Sequence, residues 1–307
     1  MSLGPEMVRT IRVGEGSLLC HVRGRGPLCV AHPGGPGLSA GYLRMPLLER
    51  GLTMVYLDPV GTDGLSRLPP GGGYDLAALA DQLSTVITEF SDAPVLVLGH
   101  GHGGLVAQSC ALRHPERVSG LVLYSTAPVA DDRTRAAARE RLRSYARANA
   151  TRVDAEAMIA AYDRPTDRSV HASTARLWEI LPAYFADFWR RRPEFTALLG
   201  TLLSSPSPIA EVDLRAVLPS ISAPTMIVAG RHDFEFGLEQ AELLLAGISG
   251  AELAEFRESG HFAHVEEAER FSHVVLEFAR RDSEVSGEHL RPGRPVALTA
   301  GPDGPWW

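Results

Sequence analysis

Four apolar runs with no internal alternation constrain this chain more than any other feature. LCVAH (28–32), TMVYL (53–57), PVLVLG (94–99) and GLVLYS (120–125) are each continuously hydrophobic or nearly so. A strand with one wet face alternates polar and apolar residues, whereas a strand that is apolar throughout must be covered on both faces. Helices must then lie above and below the sheet, and the intervening stretches supply them. YDLAALADQLSTVITEF (74–90) has apolar residues at helical spacing, and LVAQSCALRH (105–114) reads as a second helix. Strand–helix–strand repetition predicts a mostly parallel α/β sheet with crossovers. VRTIRV and SLLCHVR, flanking Gly14-Glu15-Gly16, predict an opening antiparallel pair. PTMIVAG (224–230) and AELAEFR (251–257) return to strand before a last helix over about 265–281.

The composition changes near Ala130. DDRTRAAARERLRSYARANA is rich in arginine and alanine and predicts an exposed helix, and no strand signal returns before 224. Residues 131–218 are therefore expected to form a helical insertion between two parts of one sheet, residues 1–130 and 219–282. The glycine- and proline-rich stretch 283–307 is expected to be a poorly ordered tail. The net charge of −7 argues against a nucleic-acid binder that works by neutralising phosphates. No apolar stretch reaches the roughly 20 residues of a membrane-spanning helix, and the start lacks the layout of a secretory signal. Cys20, Cys29 and Cys110 are too few and wrongly spaced for a disulfide scaffold or a zinc site. The expectation is a soluble, cytoplasmic, globular protein, monomer or homodimer, without nucleic-acid or membrane partners.

In an open parallel sheet, ligands gather beyond the carboxyl ends of the strands, so the loops there carry the chemistry. The first is His32-Pro33-Gly34-Gly35-Pro36-Gly37, a rigid turn whose backbone can approach a ligand closely. After 94–99 comes Gly99-His100-Gly101-His102-Gly103-Gly104, which matches the strand-to-helix turn G-x-S-x-G at every position but the middle one. Asp233 follows the 224–230 run and His261 the 251–257 run. That is the order nucleophile, acid, histidine.

AHPGGPG, YLDPVGTDGLS, VLVLGHGHGGLVAQSCALRHPERVSGLVLY, APTMIVAGRHDFEFG and SGHFAHVEEAERF together resemble the α/β-hydrolase superfamily, in particular its proline iminopeptidase-like branch. The resemblance implies an α/β-hydrolase fold with a helical cap, residues 131–218, between the sixth and seventh strands. It also implies roles for individual residues: Asp233 as the triad acid, His261 as the triad histidine, and the amide of His102 as one oxyanion donor. The amides around Gly34 and Gly35 match the other donor, although Pro33 stands where the family's H-G-G-P-G begins and His32 lies one residue earlier. The nucleophile position is Gly101. Glycine cannot form an acyl-enzyme, Ser109 and Cys110 lie too far into the next helix, and no motif supports Ser39 or Ser66.

Three explanations follow. The chain is an enzyme that abandoned covalent catalysis and kept a His261/Asp233 acid–base pair with oxyanion amides; or a proline iminopeptidase-like or ester hydrolase carrying glycine for serine; or a pseudoenzyme that binds a ligand without turnover. The first suits C–C bond formation, cyclisation, isomerisation, elimination or direct water attack. α/β-hydrolase-like proteins of bacterial natural-product pathways provide the analogy. Trp178, Tyr184, Phe185, Phe188 and Trp189 are five aromatics within 12 residues. With His32 they are expected to bind a flat, hydrophobic substrate such as an aromatic polyketide. An iminopeptidase would instead need cap carboxylates for an amino group, and Glu179, Asp187 and Glu194 are the available ones. No cofactor or metal is expected: His100 and His102, two apart across a tight turn, diverge. His100 is expected to pack beneath the turn, His102 to reach the pocket floor as a second proton donor, and Asp58 to brace its own loop.

Overall fold

A computed structural model describes residues 7–14, 16–62, 66, 75–164, 169–202, 204–205 and 210–285. The predicted strands form one eight-stranded sheet: β1 (Met7–Val13), β2 (Gly16–Gly24), β3 (Leu28–His32), β4 (Thr53–Asp58), β5 (Val95–His100), β6 (Val118–Tyr124), β7 (Thr225–Gly230) and β8 (Glu252–Phe256). Their spatial order is β1-β2-β4-β3-β5-β6-β7-β8. β1 and β2 pair antiparallel, as do β2 and β4, and every later pairing is parallel.

The continuous apolar runs are explained by two cores, one on each face. Val30, Val55, Val97, Leu121 and Ile227 point to the side covered by α1 (Leu76–Phe90) and α2 (His102–Arg113), against Leu83, Val86, Val106 and Cys110. Their strand neighbours Ala31, Met54, Leu98, Val122 and Val228 point the other way, toward Phe256, Phe271 and Val275. Two of these belong to α7 (Ala268–Val285), which runs a few residues past the predicted helix end. The predicted tail otherwise lies outside the described residues. All three cysteines are buried, and burial pushes each thiol up to about 12. No helix among the described residues is long and apolar enough to cross a membrane.

Between β6 and β7 the chain leaves the sheet and becomes helical. α3 (Asp132–Ala148) starts with a capping box in which the Asp131 carboxylate accepts the Thr134 amide at 2.8 Å and the Thr134 hydroxyl accepts the Asp131 amide at 2.9 Å. α4 (Ala155–Asp163) and α5 (Val170–Ile180) begin at the side-chain caps Asp154 and Ser169. α3 is amphipathic and not simply exposed: Leu142 and Ala146 pack with Met158 and Ala161 of α4 and with Phe234 from the loop after β7. No strand is expected here, yet Val129–Ala130 pairs antiparallel with Val212–Asp213 and ties the two ends of the insertion together. α6 (Leu238–Gly247) connects β7 to β8.

Register positions the site. His32 pairs with Gly99, His100 with Tyr124, Tyr124 with Val228 and Phe256 with Gly230. The carboxyl ends of β3, β5, β6, β7 and β8 are therefore level, and the loops carrying Gly34, Gly101, Asp233 and His261 leave from the same edge.

Candidate active site

Gly101 sits between β5 and α2 with φ 56° and ψ −122°, left-handed backbone that favours glycine. The turn is fixed from both sides: the Gly101 amide donates to the Tyr124 carbonyl at 3.0 Å, and the Gly101 carbonyl accepts from the Thr126 hydroxyl at 2.5 Å and the Gly104 amide at 3.0 Å. Two residues on, α2 runs so close to β3 that a Cβ on Gly103 would collide with the carbonyls of His32 and Pro33.

His261 faces this turn. Its amide donates to the Tyr184 carbonyl at 2.7 Å, and its Nδ1 lies 2.8 Å from Asp233 Oδ2. A carboxylate only accepts, so Nδ1 carries the hydrogen and the Nε2 lone pair is left free. The second Asp233 oxygen accepts the amides of Glu235 at 2.9 Å and Phe236 at 3.1 Å, which fixes the carboxylate as well as the ring it holds. A Cβ on Gly101 would stand 3.5 Å from His261 Nε2 and 3.6 Å from Gly34 Cα, both ordinary contacts. The three residues predicted to form the centre, Gly101, Asp233 and His261, are brought together.

The other histidines are sorted by their partners. His100 is fully buried beneath the turn. Its Nε2 donates to the His261 carbonyl at 3.0 Å, and its Nδ1 accepts from the Tyr42 hydroxyl at 2.7 Å. Both nitrogens are committed, which leaves none for a metal. Burial, with His261 and His264 adding to it, holds this ring well below the usual histidine range. His264 spans Tyr42 and Tyr124: its Nε2 donates to the Tyr42 carbonyl at 3.0 Å and its Nδ1 accepts from the Tyr124 hydroxyl at 2.9 Å. His32 donates from Nδ1 to the Pro33 carbonyl at 2.9 Å. Burial lowers both His32 and His264 to about 4. Burial, with His32 adding to it, lowers His102 to about 3, and its buried Nδ1 has no hydrogen-bond partner among the described residues. His102 is thus a neutral ring at ordinary pH. Asp58, expected to brace its own loop, instead holds two other segments, accepting the Ala40 amide at 2.6 Å and contacting His21 of β2 at 3.0 Å.

The oxyanion expectation needs one correction. The Gly34 amide donates to the Tyr42 hydroxyl at 2.7 Å, so it is occupied within the chain Gly34–Tyr42–His100–His261. That leaves the Gly35 amide and the His102 amide. The latter is at the first position of α2, where no earlier turn of helix accepts it.

The aromatic expectation needs a larger one. Phe185 is 1% exposed and stacks on Phe195 at 4.2 Å, and Phe188 is buried in the same core. Trp178, Phe188 and Trp189 line a small cleft with Leu181, Pro182 and Arg192, a set that contains none of His32, Gly101 or His261. Trp178 is itself 40% exposed. Tyr184 alone of the five is in ring contact with His261, at 5.1 Å. The spacing that suggested a pocket wall is the spacing of core packing. Glu179, Asp187 and Glu194 are each paired with an arginine, namely Arg164, Arg190 and Arg191 at 3.0, 2.5 and 2.8 Å. Two carboxylates missed in the sequence stand closer to the site. Glu266 accepts the amides of Gly260 at 2.7 Å and Ala186 at 2.8 Å, and Glu235 accepts two tyrosine hydroxyls. The clue was their position: Glu235 lies two residues past Asp233 and Glu266 five past His261.

Residues 27–268 match the family model described as alpha/beta hydrolase fold. A 2-hydroxy-6-oxononadienedioate/2-hydroxy-6-oxononatrienedioate hydrolase of Klebsiella pneumoniae is 30% identical over 291 residues, covering 89% of this chain and 96% of the relative. A 2-hydroxymuconate semialdehyde hydrolase of Pseudomonas sp. is 29% identical over 280 residues, covering 89% and 94%. Among solved structures, proline iminopeptidase of Mycobacterium smegmatis superposes with a TM-score of 0.66 at 20% identity over 91% of this chain and 100% of that one, a likeness of fold. With sheet order, site geometry and family model in agreement, the chain belongs to the α/β-hydrolase fold family.

Proposed function

We propose that this protein is an enzyme that uses His261 and Asp233 as an acid–base pair on a carbonyl-bearing hydrophobic small molecule, without an acyl-enzyme. One observation carries the proposal: the free Nε2 of His261 faces a residue with no side chain, across a gap the size of one Cβ. A group there accepts a proton from the substrate, or from a water standing where a hydroxymethyl would be, and not from a side-chain alcohol. In the water route Nε2 takes the proton, the hydroxide adds to the carbonyl carbon, and the oxyanion lies against the amides of His102 and Gly35. Collapse of that adduct breaks the bond to the leaving carbon, which takes the proton back from the imidazolium. In the enolate route Nε2 removes a proton beside the carbonyl and returns it after a bond has formed or shifted. Both routes put negative charge on the carbonyl oxygen, where one fixed donor is worth roughly 3–4 kcal/mol.

The 2-hydroxy-6-oxononadienedioate and 2-hydroxymuconate semialdehyde hydrolases among the relatives support the water route on 2-hydroxy-6-oxo dienoates. The arginine-rich, lysine-free composition is compatible with the biosynthetic setting expected from the sequence and does not select it; the proton chemistry is the same in both. The test is a panel of such dienoates and related 1,3- and 1,5-dicarbonyl compounds, followed by ultraviolet absorption and product mass. Turnover that disappears with His261→Ala supports the proposal, and turnover indifferent to that change removes it.

The turn at Gly101 favours a second reading. A Cβ meets only ordinary contacts there, so a serine fits the space at the cost of strain in the left-handed backbone. Strong ester or proline-arylamide hydrolysis by Gly101→Ser would support a serine hydrolase carrying glycine.

A further inference from the structure

The loop after β7 holds the triad acid and, two residues on, a second carboxylate with its own set of partners. The Glu235 amide donates to Asp233 Oδ1 at 2.9 Å. Its side chain accepts the hydroxyls of Tyr162 from α4 and Tyr184 from the turn after α5, each at 3.3 Å. Its carbonyl and that of Phe234 accept the Arg141 guanidinium of α3 at 3.1 and 2.7 Å, and Arg141 also pairs with Glu239 at 2.6 Å. Three pieces of the helical insertion thus converge on two residues. Tyr184 closes the circuit, since its carbonyl accepts the His261 amide and its ring lies against the imidazole.

Anchoring the insertion would need no carboxylate: Tyr162 bonds one Glu235 oxygen and Tyr184 the other, and an amide there accepts from one phenol and donates to the oxygen of the other. Burial raises the Glu235 carboxyl, Asp233 adds to that, and a positive charge on His261 opposes it, as do the two phenol hydrogen bonds. Burial and Glu235 itself push both phenols up, so they are donors and never phenolates here. The other charged or titratable groups facing this cluster are Arg135 and Arg141 toward Tyr162, and His100 and His264 toward His261.

We infer that Glu235 is a positioning residue for His261: its carboxylate, held by Tyr162 and Tyr184, stabilises the imidazolium formed when Nε2 takes a proton and ties that charge to the seating of the insertion. The inference rests on the acid–base reading of His261, but its test reads charge and not turnover, so the two fail separately.

The experiment follows the His261 ring signals by NMR against pH in the wild type and in Glu235→Gln, with thermal melts of both. The expected result is an unchanged cooperative melt with the midpoint of His261 protonation lowered by about one pH unit, a tenfold weaker proton affinity. Melts that agree with midpoints that also agree would overturn the inference and leave Glu235 a structural anchor. Should Glu235→Gln not fold, linkage supplies the reciprocal measurement. In His261→Ala the 13C carboxyl signal of Glu235 must titrate at a pH higher by a similar amount, and a midpoint that stays put overturns the inference equally.

Discussion

His261 Nε2 and Gly101 face each other across 3.5 Å, measured to where a Cβ on the glycine would stand. The histidine is oriented as for a neighbouring alcohol, by Asp233 on its far nitrogen and Tyr184 on its amide, and residue 101 carries no alcohol for it. The consequences divide between the backbone, which has kept the shape of a nucleophile turn, and the chemistry, which must proceed without the nucleophile.

The two glycines of this turn should respond differently to a methyl group. Gly101→Ala meets no collision and costs about 1–3 kcal/mol for its left-handed backbone. Gly103→Ala drives a Cβ into two β3-loop carbonyls and should cost about 3 kcal/mol or more, or prevent folding. Urea unfolding of both variants checks the order; equal losses would mean that α2 is not packed on the β3 loop as described.

Phe185 and Trp178 separate the core reading of the aromatics from the pocket reading. Phe185→Ala empties a site that is 1% exposed and should cost about 3–5 kcal/mol. Trp178→Ala removes a ring that is 40% exposed and should stay within about 0.5 kcal/mol of the wild type. A stable Phe185→Ala with altered ligand binding would return that ring to the pocket.

Acid should weaken the fold. His32 and His264 titrate at about 4 and His102 at about 3, each lowered by burial from the ordinary 6.5. As pH falls below 6.5 the unfolded chain takes up protons that these buried rings refuse, so stability drops until the folded rings titrate. Glu266 works in the opposite sense: burial raises it from 4.5 to about 7, so between those values the folded chain holds a proton that the unfolded chain releases. His100, held well below the usual histidine range by burial, acts with the three histidines, and Glu235, raised by burial, acts with Glu266. Four groups oppose two, and the net slope is loss toward acid. Glu266→Gln removes one of the two opposing groups, and its stability should fall more steeply between pH 6.5 and 4.5 than the wild type's. Denaturant midpoints at three pH values decide it; parallel curves would deny Glu266 this role.

The sheet was legible because a strand covered on both faces writes itself as an unbroken apolar run, as Leu28–His32 and Val95–His100 do. Gly101, Asp233 and His261 were legible because each follows a strand directly, and parallel strands deliver their loops to one edge. The occupied Gly34 amide was not, because its partner Tyr42 folds back eight residues later from a short helical turn. Nor were the roles of Phe185 and Tyr184, neighbours of which one fills the core and the other touches His261. Helical spacing assigns a face but not what covers it. Glu235 and Glu266 acquire meaning only from distant phenols and amides, at Tyr162, Tyr184, Ala186 and Gly260.

Intact-protein mass spectrometry during turnover of a 2-hydroxy-6-oxo dienoate or dicarbonyl substrate, beside rates for the wild type and His261→Ala, tests the central claim most directly. The account predicts a wild-type chain whose mass stays unmodified while product forms, and a rate that falls by about 10²–10⁴ when the imidazole is removed. An acyl adduct on any residue of the turning-over wild type, or a His261→Ala variant that keeps its rate, would contradict it.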